Sequence, residues 1–461
     1  MIAPQELIER ITRAADYEDC IVIVESKTQA NLRWASSTLT TNGVIAEQSV
    51  TVIAFVALPG GMATGSVTRT NIELDEITEI AKAAGVAARA AGVAEDQAPL
   101  LTNKEVGNWT APHTATGPDV FKTFAPQLGE VFKKSQSDAI ELFGYAEHTH
   151  TTTWIGSKGG LRLRHDQPAG RLEMTGKSDN RKRSTWEGRA TRDFNDVDLA
   201  GVDASIRQRL EWQSRSTHLQ AGRYQTVAPS GVMADMLAYL LWTSPARDAA
   251  EGRSVFAKTG ELGKTRIGEK LAKLPINIYS NPCYAGLECS PFNVATSSSA
   301  YGSVFDNGLP QQQWDFVKDG TLNSLLTPRA VSQATGVPYG MGGDNIIMTS
   351  PEGSGNIDSL IAGVKSGLLL TTVWYVRMVD PVTSLLTGLT RDGVYQIKDG
   401  EVVGAVNNFR WNESPVELLG RISATGATEI TATREVEDLS RTAAPAVIFE
   451  DFNMSTVSQA N

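Results

Sequence analysis

The chain has 461 residues, of which 41% are hydrophobic and 20% are charged, so it contains enough apolar material for a large core, and its length suggests two or three domains. The formal net charge of -10 argues against a general nucleic-acid or anionic-membrane surface, because both require an excess of lysine and arginine. No apolar run reaches the roughly 18 to 20 residues that cross a bilayer, so we expect no membrane span.

The first half of the chain predicts an α+β lobe with an antiparallel sheet. Apolar residues at helical spacing predict a helix over residues 4–15. Strand patterns follow at residues 20–25, 31–38, 46–58 and 62–68. Asp75 is the expected N-cap of a long alanine-rich helix that runs to Ala91 and is ended by Gly92.

Further along, residues 119–142 are predicted to be helical, and residues 143–187 alternate strand and turn signals, which predicts a small β meander. Residues 203–216 predict a polar helix with Ile206 and Leu210 facing inward. The composition changes near Gly222, so we divide the chain into an N-terminal domain (1–222) and a C-terminal domain (223–461).

The second half predicts a β-rich domain of antiparallel sheets around a core helix, and the whole chain is therefore assigned to the α+β class. Asp399-Gly400 between two of its strand patterns is a strong hairpin signal. The predicted strands are residues 275–279, 322–326, 345–349, 367–376, 394–398, 401–406 and 446–449.

The core helix is predicted from the stretch between Tyr224 and Phe256. A short strand (224–227) leads to Pro229 and to Ser230, whose side chain is the expected N-cap acceptor. The helix that follows carries apolar residues at one-turn spacing, which favours packing against a sheet.

Three positions on this helix have the spacing of a metal motif without its ligands. Ala234, Asp235 and Tyr239 occupy the first, second and sixth places of a His-Glu-x-x-x-His pattern. In this feature the chain resembles the TldD/PmbA (TldE) family, whose TldD-type members carry that zinc-binding motif on the matching helix. A methyl group and a phenol cannot replace two imidazoles as zinc ligands, so the chain is similar to the PmbA/TldE half of the pair.

The resemblance extends over nearly the whole chain and is strongest from Gly222 to Val406. It rests on the order of several segments in addition to Arg33-Trp34-Ala35 near the start. These segments are residues 254–256, 268–270, 305–310, 316–326, 380–383, 393–397 and 399–401. One departure is Asn307, where family members often have an acidic residue before the glycine of the 305–310 segment, so a substrate or partner contact expected there is in doubt.

The resemblance implies a metal-free subunit of a heterodimer, with zinc and catalysis in a TldD-like peptidase partner and with unfolded or small peptides as substrate. TldD-type members take a third zinc ligand from a later cysteine, and here no cysteine follows Cys289. The resemblance therefore implies that this chain has no metal site, no cofactor and no catalytic residue of its own. It also implies that the chain could form homodimers when alone.

Other residue types with reactive potential favour ordinary structural roles. His148 and His150 alternate along a predicted strand and could share a metal, although a polar strand face is the simpler interpretation. His165 and Asp166 are adjacent, so on a strand their side chains point to opposite faces, and Asp166 does not orient His165 as a catalytic base. Cys283 and Cys289 have no histidine after the core helix to activate them, and they are expected to be buried.

Two glycine-containing patterns are also weak as functional signals. The glycine-rich residues 339–344 lack the Gly-Lys-Ser/Thr signature and the strand-to-helix setting of a phosphate loop, which predicts a flexible loop. Ser354 is not in a Gly-x-Ser-x-Gly pattern and has no later histidine to serve as its base.

Three alternatives to the leading hypothesis stay open. The chain could be a stand-alone homodimer that binds peptides or regulates another protein, or a metal-independent hydrolase that uses Asp235 and Tyr239 or carboxylates elsewhere. It could also belong to a pair that modifies a small natural product. Three unpatterned cysteines and a charged N-terminal segment without an apolar signal core predict a cytoplasmic location.

Overall fold

The fold is known from a computed structural model that describes residues 2–436 and 441–459. Within these residues the strands form three sheets, one in the first half of the chain and two in the second. Helix and antiparallel strand are both abundant, which confirms the predicted α+β class. None of the described helices combines the length and the apolar character that crossing a bilayer requires.

The first half consists of one antiparallel sheet with helices on one face. Its strands are β1 (Asp19–Ala35), β2 (Thr38–Leu58), β3 (Gly61–Thr70), β4 (Glu141–Ser157), β5 (Arg162–Ser178) and β6 (Arg183–Thr191). Its helices are α1 (Pro4–Ala14), α2 (Ile77–Ala91), α3 (Phe124–Ser137) and α4 (Leu199–Trp212). The strands lie in the order β3-β2-β1-β4-β5-β6, and we call them the N-terminal sheet.

Strand β1 is continuous, although the sequence predicted two strands in this region. Its first part is buried on both faces: Val22 and Val24 pack under α1 and α2, whereas Ile21 and Ile23 pack against residues of the second half. Further along, buried and more exposed residues alternate, because only one face is covered there. The change of pattern therefore marks a change in what covers the sheet, and the backbone is not interrupted.

The strands predicted as a small meander belong to the same sheet. Strand β4 pairs with β1 along most of its length, from Ser157 opposite Ile21 to Gly144 opposite Trp34. Helices α3 and α4 cover this end of the sheet, and Ile206 and Leu210 of α4 are buried against it, as predicted.

Several predicted helix boundaries were wrong, and the helix predicted at residues 203–216 runs from Leu199 to Trp212. Helix α3 ends at Ser137 and Leu142 already belongs to β4, because Ala139 adopts a left-handed backbone conformation (φ 55°) between them. Before α2, a 3-10 turn over Leu74–Glu76 carries a capping box between Glu73 and Glu76, so Asp75 is not the N-cap. Gly92 ends α2 with a positive φ, as predicted.

The second half contains a large central sheet and a small sheet. Its helices are α5 (Ser230–Trp242), α6 (Ala246–Ala250), α7 (Arg329–Thr335), α8 (Ile357–Ala362) and α9 (Pro415–Leu419). Its first strands are β7 (Ser216–Thr217), β8 (Gly222–Ala228), β9 (Asn277–Ser280), β10 (Trp314–Lys318), β11 (Thr321–Leu322), β12 (Ile346–Thr349) and β13 (Ser366–Leu370). The others are β14 (Val373–Asp380), β15 (Leu385–Thr390), β16 (Val394–Lys398), β17 (Glu401–Val406), β18 (Phe409–Glu413), β19 (Ile422–Thr431), β20 (Thr442–Met454) and β21 (Thr456–Val457).

The central sheet runs in the order β11-β10-β9-β12-β20-β8-β13-β16-β17-β7, with β19 paired to β20, and the small sheet runs β14-β15-β18-β21. Most neighbours are antiparallel, but β12 and β20, β8 and β13, and β7 and β17 are parallel pairs. The predicted hairpin is confirmed, since Asp399 (φ 48°) and Gly400 (φ 82°) join β16 and β17. The strand predicted at residues 322–326 was wrong, because pairing there ends at Leu322.

Helix α5 lies in the interior of the second half, as predicted for a core helix. Residues from Val232 to Leu240 are all buried, and the helix packs against β20 and α9 in the largest apolar cluster of the described residues. Ser230 does not cap the helix: its hydroxyl donates to Glu429 on β19 (2.6 Å).

The two halves are in direct apolar contact. Phe55 of β2 meets Phe305 of the second half edge-on, with ring centroids 5.2 Å apart. Ile21 and Ile23 of β1 belong to the same cluster. The division into domains 1–222 and 223–461 stays a prediction from sequence.

Candidate functional site

The candidate site is the part of helix α5 that matches the metal motif by spacing. Ala234, Asp235 and Tyr239 are all buried, and Asp235 is only 1% exposed. Asp235 and Tyr239 are four residues apart, so they lie one above the other on the same side of the helix. Ala234 offers no donor atom.

The carboxylate of Asp235 is occupied by backbone groups of a segment near the end of the chain. Its Oδ1 accepts the N–H groups of Arg434 (3.1 Å) and Glu435 (3.0 Å). We call residues 432–436 the strap, because they cross helix α5 after the end of β19. Within the strap, the hydroxyl of Thr433 donates to the carbonyl of Val436 (2.6 Å), and both residues are buried.

The strap is tied in turn to strand β14. The carboxylate of Glu435 accepts the N–H groups of Tyr375 (2.7 Å) and Val376 (2.9 Å). The carbonyl of Val376 accepts the hydroxyl of Tyr239 (3.4 Å). Helix, strap and strand thus form one hydrogen-bonded unit around the motif positions.

Arg434 connects this unit to the N-terminal sheet. Its guanidinium lies over the ring of Trp186 on β6 (5.2 Å) and the ring of Trp374 on β14 (4.7 Å), and it donates to Asp392 (2.6 Å). The carbonyl of Thr433 accepts Arg171 of β5 (3.1 Å). A cation held between two rings and a buried carboxylate fixes the position of the strap.

The electrostatics of the site favour protonated groups. Burial raises the pKa of Asp235 to about 7, and the N–H groups of Arg434 and Glu435 oppose this shift because they favour the charged form. Burial, followed by the negative charges of Glu435 and Asp235, raises the pKa of Tyr239 to about 12. The phenol therefore keeps its proton at neutral pH.

This donor set does not fit zinc. Zinc ligands are thiolates, neutral imidazoles or carboxylates with free lone pairs, and they must be deprotonated. Position 234 presents a methyl group, the carboxylate at 235 is engaged by the strap, and the phenol at 239 is protonated. In the part of the chain that the structure describes, no three His, Cys, Asp or Glu side chains converge on a point that could hold a metal.

His148 of the N-terminal sheet has structural partners, whereas Nδ1 of the buried His150 has no hydrogen-bond partner among the described residues. His148 and His150 share a face of β4, as predicted, and burial lowers the pKa of both. The ring nitrogens of His148 bond to the hydroxyl of Thr116 and the carbonyl of Arg192, each at 2.7 Å. Neither nitrogen of His148 is then available to a metal.

The remaining sequence candidates do not form catalytic pairs. His165 bonds to Gln167 (3.0 Å), whereas Asp166 accepts Thr152 (2.6 Å) and Arg164, so the adjacent pair is separated as predicted. Cys289 is buried, and burial raises its pKa to about 11. The prediction that Cys283 is buried was wrong: Cys283 is exposed, because it lies in a turn at the protein surface.

Other residues play roles that the sequence did not reveal. Asn307 bonds through both ends of its amide to the backbone of Ala295 (2.6 and 2.8 Å), which gives it a structural function. Ser354 lies in a loop whose backbone contacts Thr425. The strap residues Arg434 and Glu435 were missed because a short polar segment between two strands carries no periodic signal.

Comparisons with known proteins agree on the fold. A family profile described as the PmbA/TldA metallopeptidase C-terminal domain matches residues 221–456. TldE from Thermococcus kodakarensis superposes with a TM-score of 0.78 at 15% sequence identity, over 98% of this chain and 99% of that one. A sequence comparison with curated proteins returns no match.

Two further solved structures share the fold. Both are crystal structures described as a putative modulator of DNA gyrase. The one from Thermotoga maritima has a TM-score of 0.74 at 14% identity, over 97% of this chain and 99% of that one. The one from Bacteroides thetaiotaomicron has a TM-score of 0.72 at 14% identity, over 98% of both chains.

Proposed function

Because the chain belongs to the PmbA/TldD family of metallopeptidase-like proteins, we propose that it is a subunit without its own zinc site in a heterodimer with a TldD-like zinc peptidase. The observation that carries the proposal is the state of the motif positions on helix α5. The strap occupies the carboxylate of Asp235, and positions 234 and 239 offer no imidazole. The partner supplies the metal and the hydrolysis of peptides, and this chain closes the cleft and positions an extended peptide.

An exposed apolar surface on the small sheet supports the existence of a partner. Strand β14 lies at one end of that sheet, and Tyr375 and Val379 on it are exposed, as is Val382 just beyond it. Exposed apolar clusters of this kind are typical of protein interfaces. We call these residues the β14 surface and assign it to the contact with the partner.

The location that suits this proposal is the cytoplasm. Cys20, Cys283 and Cys289 are all free. Free thiols persist in a reducing compartment, whereas secreted proteins usually pair theirs. A cytoplasmic location would also bring the chain together with unfolded peptides.

The test is to purify this chain and a TldD-like chain, separately and after co-expression, and to measure zinc content and cleavage of an unfolded peptide. We expect zinc in the TldD-like chain, cleavage that EDTA abolishes, and the highest cleavage in the mixture. Stoichiometric zinc with EDTA-sensitive cleavage by this chain alone would contradict the proposal.

A pair of substitutions locates the contact. Val379→Lys on the β14 surface should weaken association with the partner at least about tenfold, because it buries a charge in an apolar contact. Leu262→Lys is the matched control, since Leu262 is highly exposed but lies outside that surface. A stable homodimer that never exchanges into a heterodimer would instead favour the stand-alone peptide-binding protein.

The same assay separates the hydrolase alternative. If Asp235 were a catalytic base, Asp235→Asn would abolish the activity of the mixture. We expect cleavage to be unchanged, because the carboxylate of Asp235 is bonded to the strap.

A further inference from the structure

A small pocket lies at the C-terminal end of helix α5, beyond the residues that contact the strap. It has a volume of about 220 Å3 and is enclosed by the last turn of α5, strands β9 and β10, and the loop at residues 341–343. Aromatic side chains form much of its wall. They are Trp242, Tyr279, Tyr301, Trp314 and Phe316. We call it the aromatic pocket.

The floor of the pocket is packed and its rim is open. Trp314 and Phe316 are buried and stack with ring centroids 5.4 Å apart and planes at 19°. Trp242 and Tyr301 are 45% and 46% exposed, and the hydroxyl of Tyr301 donates to the carbonyl of Trp242 (2.8 Å). A fixed floor with accessible rings at the entrance is suited to receiving a ligand group.

Glycines allow the loop to approach the ring of Trp314. A Cβ atom at Gly342 would lie 2.9 Å from that ring, and one at Gly343 would lie 2.8 Å from Oε1 of Gln311. The contact at Gly342 is closer than a side chain tolerates against a packed ring, so this glycine is needed for packing, whereas the end of the Gln311 side chain could move away from position 343. The sequence predicted a flexible loop here, and the structure shows a close-packed wall.

The chemistry of the wall selects the class of ligand. None of the described residues that line the pocket carries a charge. An apolar cavity of about 150 Å3 is enough to bind benzene, so the aromatic pocket can hold one phenyl or leucyl group. Nε1 of Trp314 is buried without a hydrogen-bond partner among the described residues, but it faces Gly340, which does not line the pocket, so the ring contributes its apolar face to the wall.

We propose that the aromatic pocket binds one large apolar or aromatic side chain of an extended peptide. The proposal rests on the proposed function in one respect, which is that the ligand is a peptide. It assigns this chain a role in choosing the substrate. The pocket adjoins the motif positions, because the ring of Trp242 contacts the ring of Tyr239 with centroids 4.9 Å apart.

The test uses the isolated chain, without partner or metal, and blocked pentapeptides with Phe, Leu, Ala or Lys between paired glycines. Binding is measured by ligand-observed NMR titration. The Phe and Leu peptides should bind about tenfold more tightly than the Ala and Lys peptides, as expected when one large apolar side chain leaves water. Equal affinity for all four peptides, or the highest affinity for Lys, would overturn the proposal.

Two variants and a control place the binding in the pocket. Trp242→Ala opens the rim and Leu241→Trp fills the cavity, and each should weaken binding of the Phe peptide at least about fivefold. Leu39→Ala removes a comparably exposed apolar side chain on β2 and should leave affinity unchanged. Thermal unfolding verifies that each variant is folded, and unchanged affinity in both folded pocket variants would overturn the proposal.

The outcomes also separate this proposal from the proposed function. Selective binding of the Phe and Leu peptides without any gain of cleavage on adding a TldD-like chain would support the pocket and reject the heterodimeric peptidase. Cleavage by the mixture, together with equal binding of all four peptides, would support the heterodimeric peptidase and reject the pocket. Binding of N-acetylphenylalanine amide without binding of the Phe pentapeptide would overturn the peptide assignment.

Discussion

The two ends of helix α5 differ in what covers them. Near its start, the strap covers Asp235 and saturates the carboxylate with backbone N–H groups. At its last turn, Trp242 borders the aromatic pocket, where Gly342 allows the loop to approach the ring of Trp314. A buried carboxylate that already accepts two backbone N–H groups is a poor ligand donor, whereas an uncharged aromatic cavity is open to an apolar group. Recognition is therefore expected at the end of the helix that carries no trace of the metal motif.

The strap explains how a buried carboxylate is tolerated on a core helix. A carboxyl group without partners would be strongly destabilising at this depth. The N–H groups of Arg434 and Glu435 compensate part of that cost, and Arg434 and Glu435 are held in turn by Asp392 and strand β14. The motif positions have thus become a fixed structural contact, and the following predictions test that contact against the open pocket.

The largest effect is expected from Asp235→Ala. Removing the carboxylate leaves the N–H groups of Arg434 and Glu435 buried without an acceptor, at about 1 to 3 kcal/mol each. The free energy of unfolding, measured by urea titration at pH 6, should fall by about 3 kcal/mol. Asp235→Asn is the control, because the amide oxygen can accept both N–H groups at the place of Oδ1, and it should cost less than about 1 kcal/mol. Equal losses in the two variants would show that the strap does not depend on this acceptor.

The pH dependence should be the next largest effect. The pKa of Asp235 is about 7 in the folded protein and about 3.9 in the unfolded chain, so the folded state binds the proton more tightly. The stabilisation from this proton is complete below pH 4 and is lost as the pH rises through 7. Relative to Asp235→Asn, the free energy of unfolding of the wild type should therefore fall by about 2 kcal/mol from pH 5 to pH 8.

The control for this titration is Asp358→Asn, which replaces an exposed carboxylate on α8. The difference in the free energy of unfolding between this variant and the wild type should not change between pH 5 and pH 8. A difference between the wild type and Asp235→Asn that stays constant with pH would show that Asp235 is charged throughout this range.

A smaller effect is expected for Glu435→Ala. This change removes the acceptor of the N–H groups of Tyr375 and Val376, but Tyr375 is 54% exposed, so water can replace part of the interaction there. We expect a loss of about 1 to 2 kcal/mol and faster hydrogen exchange at both amides. Glu401→Ala on β17 is the exposed control, and equal exchange rates in both variants would argue against a role for the strap in holding β14.

The smallest effect is expected for Tyr239→Phe. The phenol donates over 3.4 Å to Val376, which is a long hydrogen bond, and the ring contact with Trp242 survives the change. The free energy of unfolding should fall by about 0.5 kcal/mol, and peptide cleavage with a TldD-like partner should be unchanged. A large loss of cleavage with an unchanged fold would give the phenol a role in the reaction.

Local patterns predicted the elements whose surroundings are uniform along their length. Strands β16 and β17 begin and end where the sequence places them, because Asp399-Gly400 supplies the backbone conformation that their hairpin requires. Strand β1 was divided wrongly, since its covering changes from two faces to one halfway along. Periodicity reports how a segment is covered, and a change of covering resembles the end of an element.

The sequence by itself determined that helix α5 is a core helix and that positions 234 and 239 cannot supply imidazoles, because both follow from the chemistry of residues close together in the chain. Only the tertiary structure decided what Asp235 does, since its backbone donor at Arg434 lies 199 residues away. The same holds for the aromatic pocket, where Trp242, Trp314 and the glycines at 342 and 343 meet from distant segments. Side-chain periodicity records which face of an element is buried, but which distant group meets that face is fixed by packing in three dimensions.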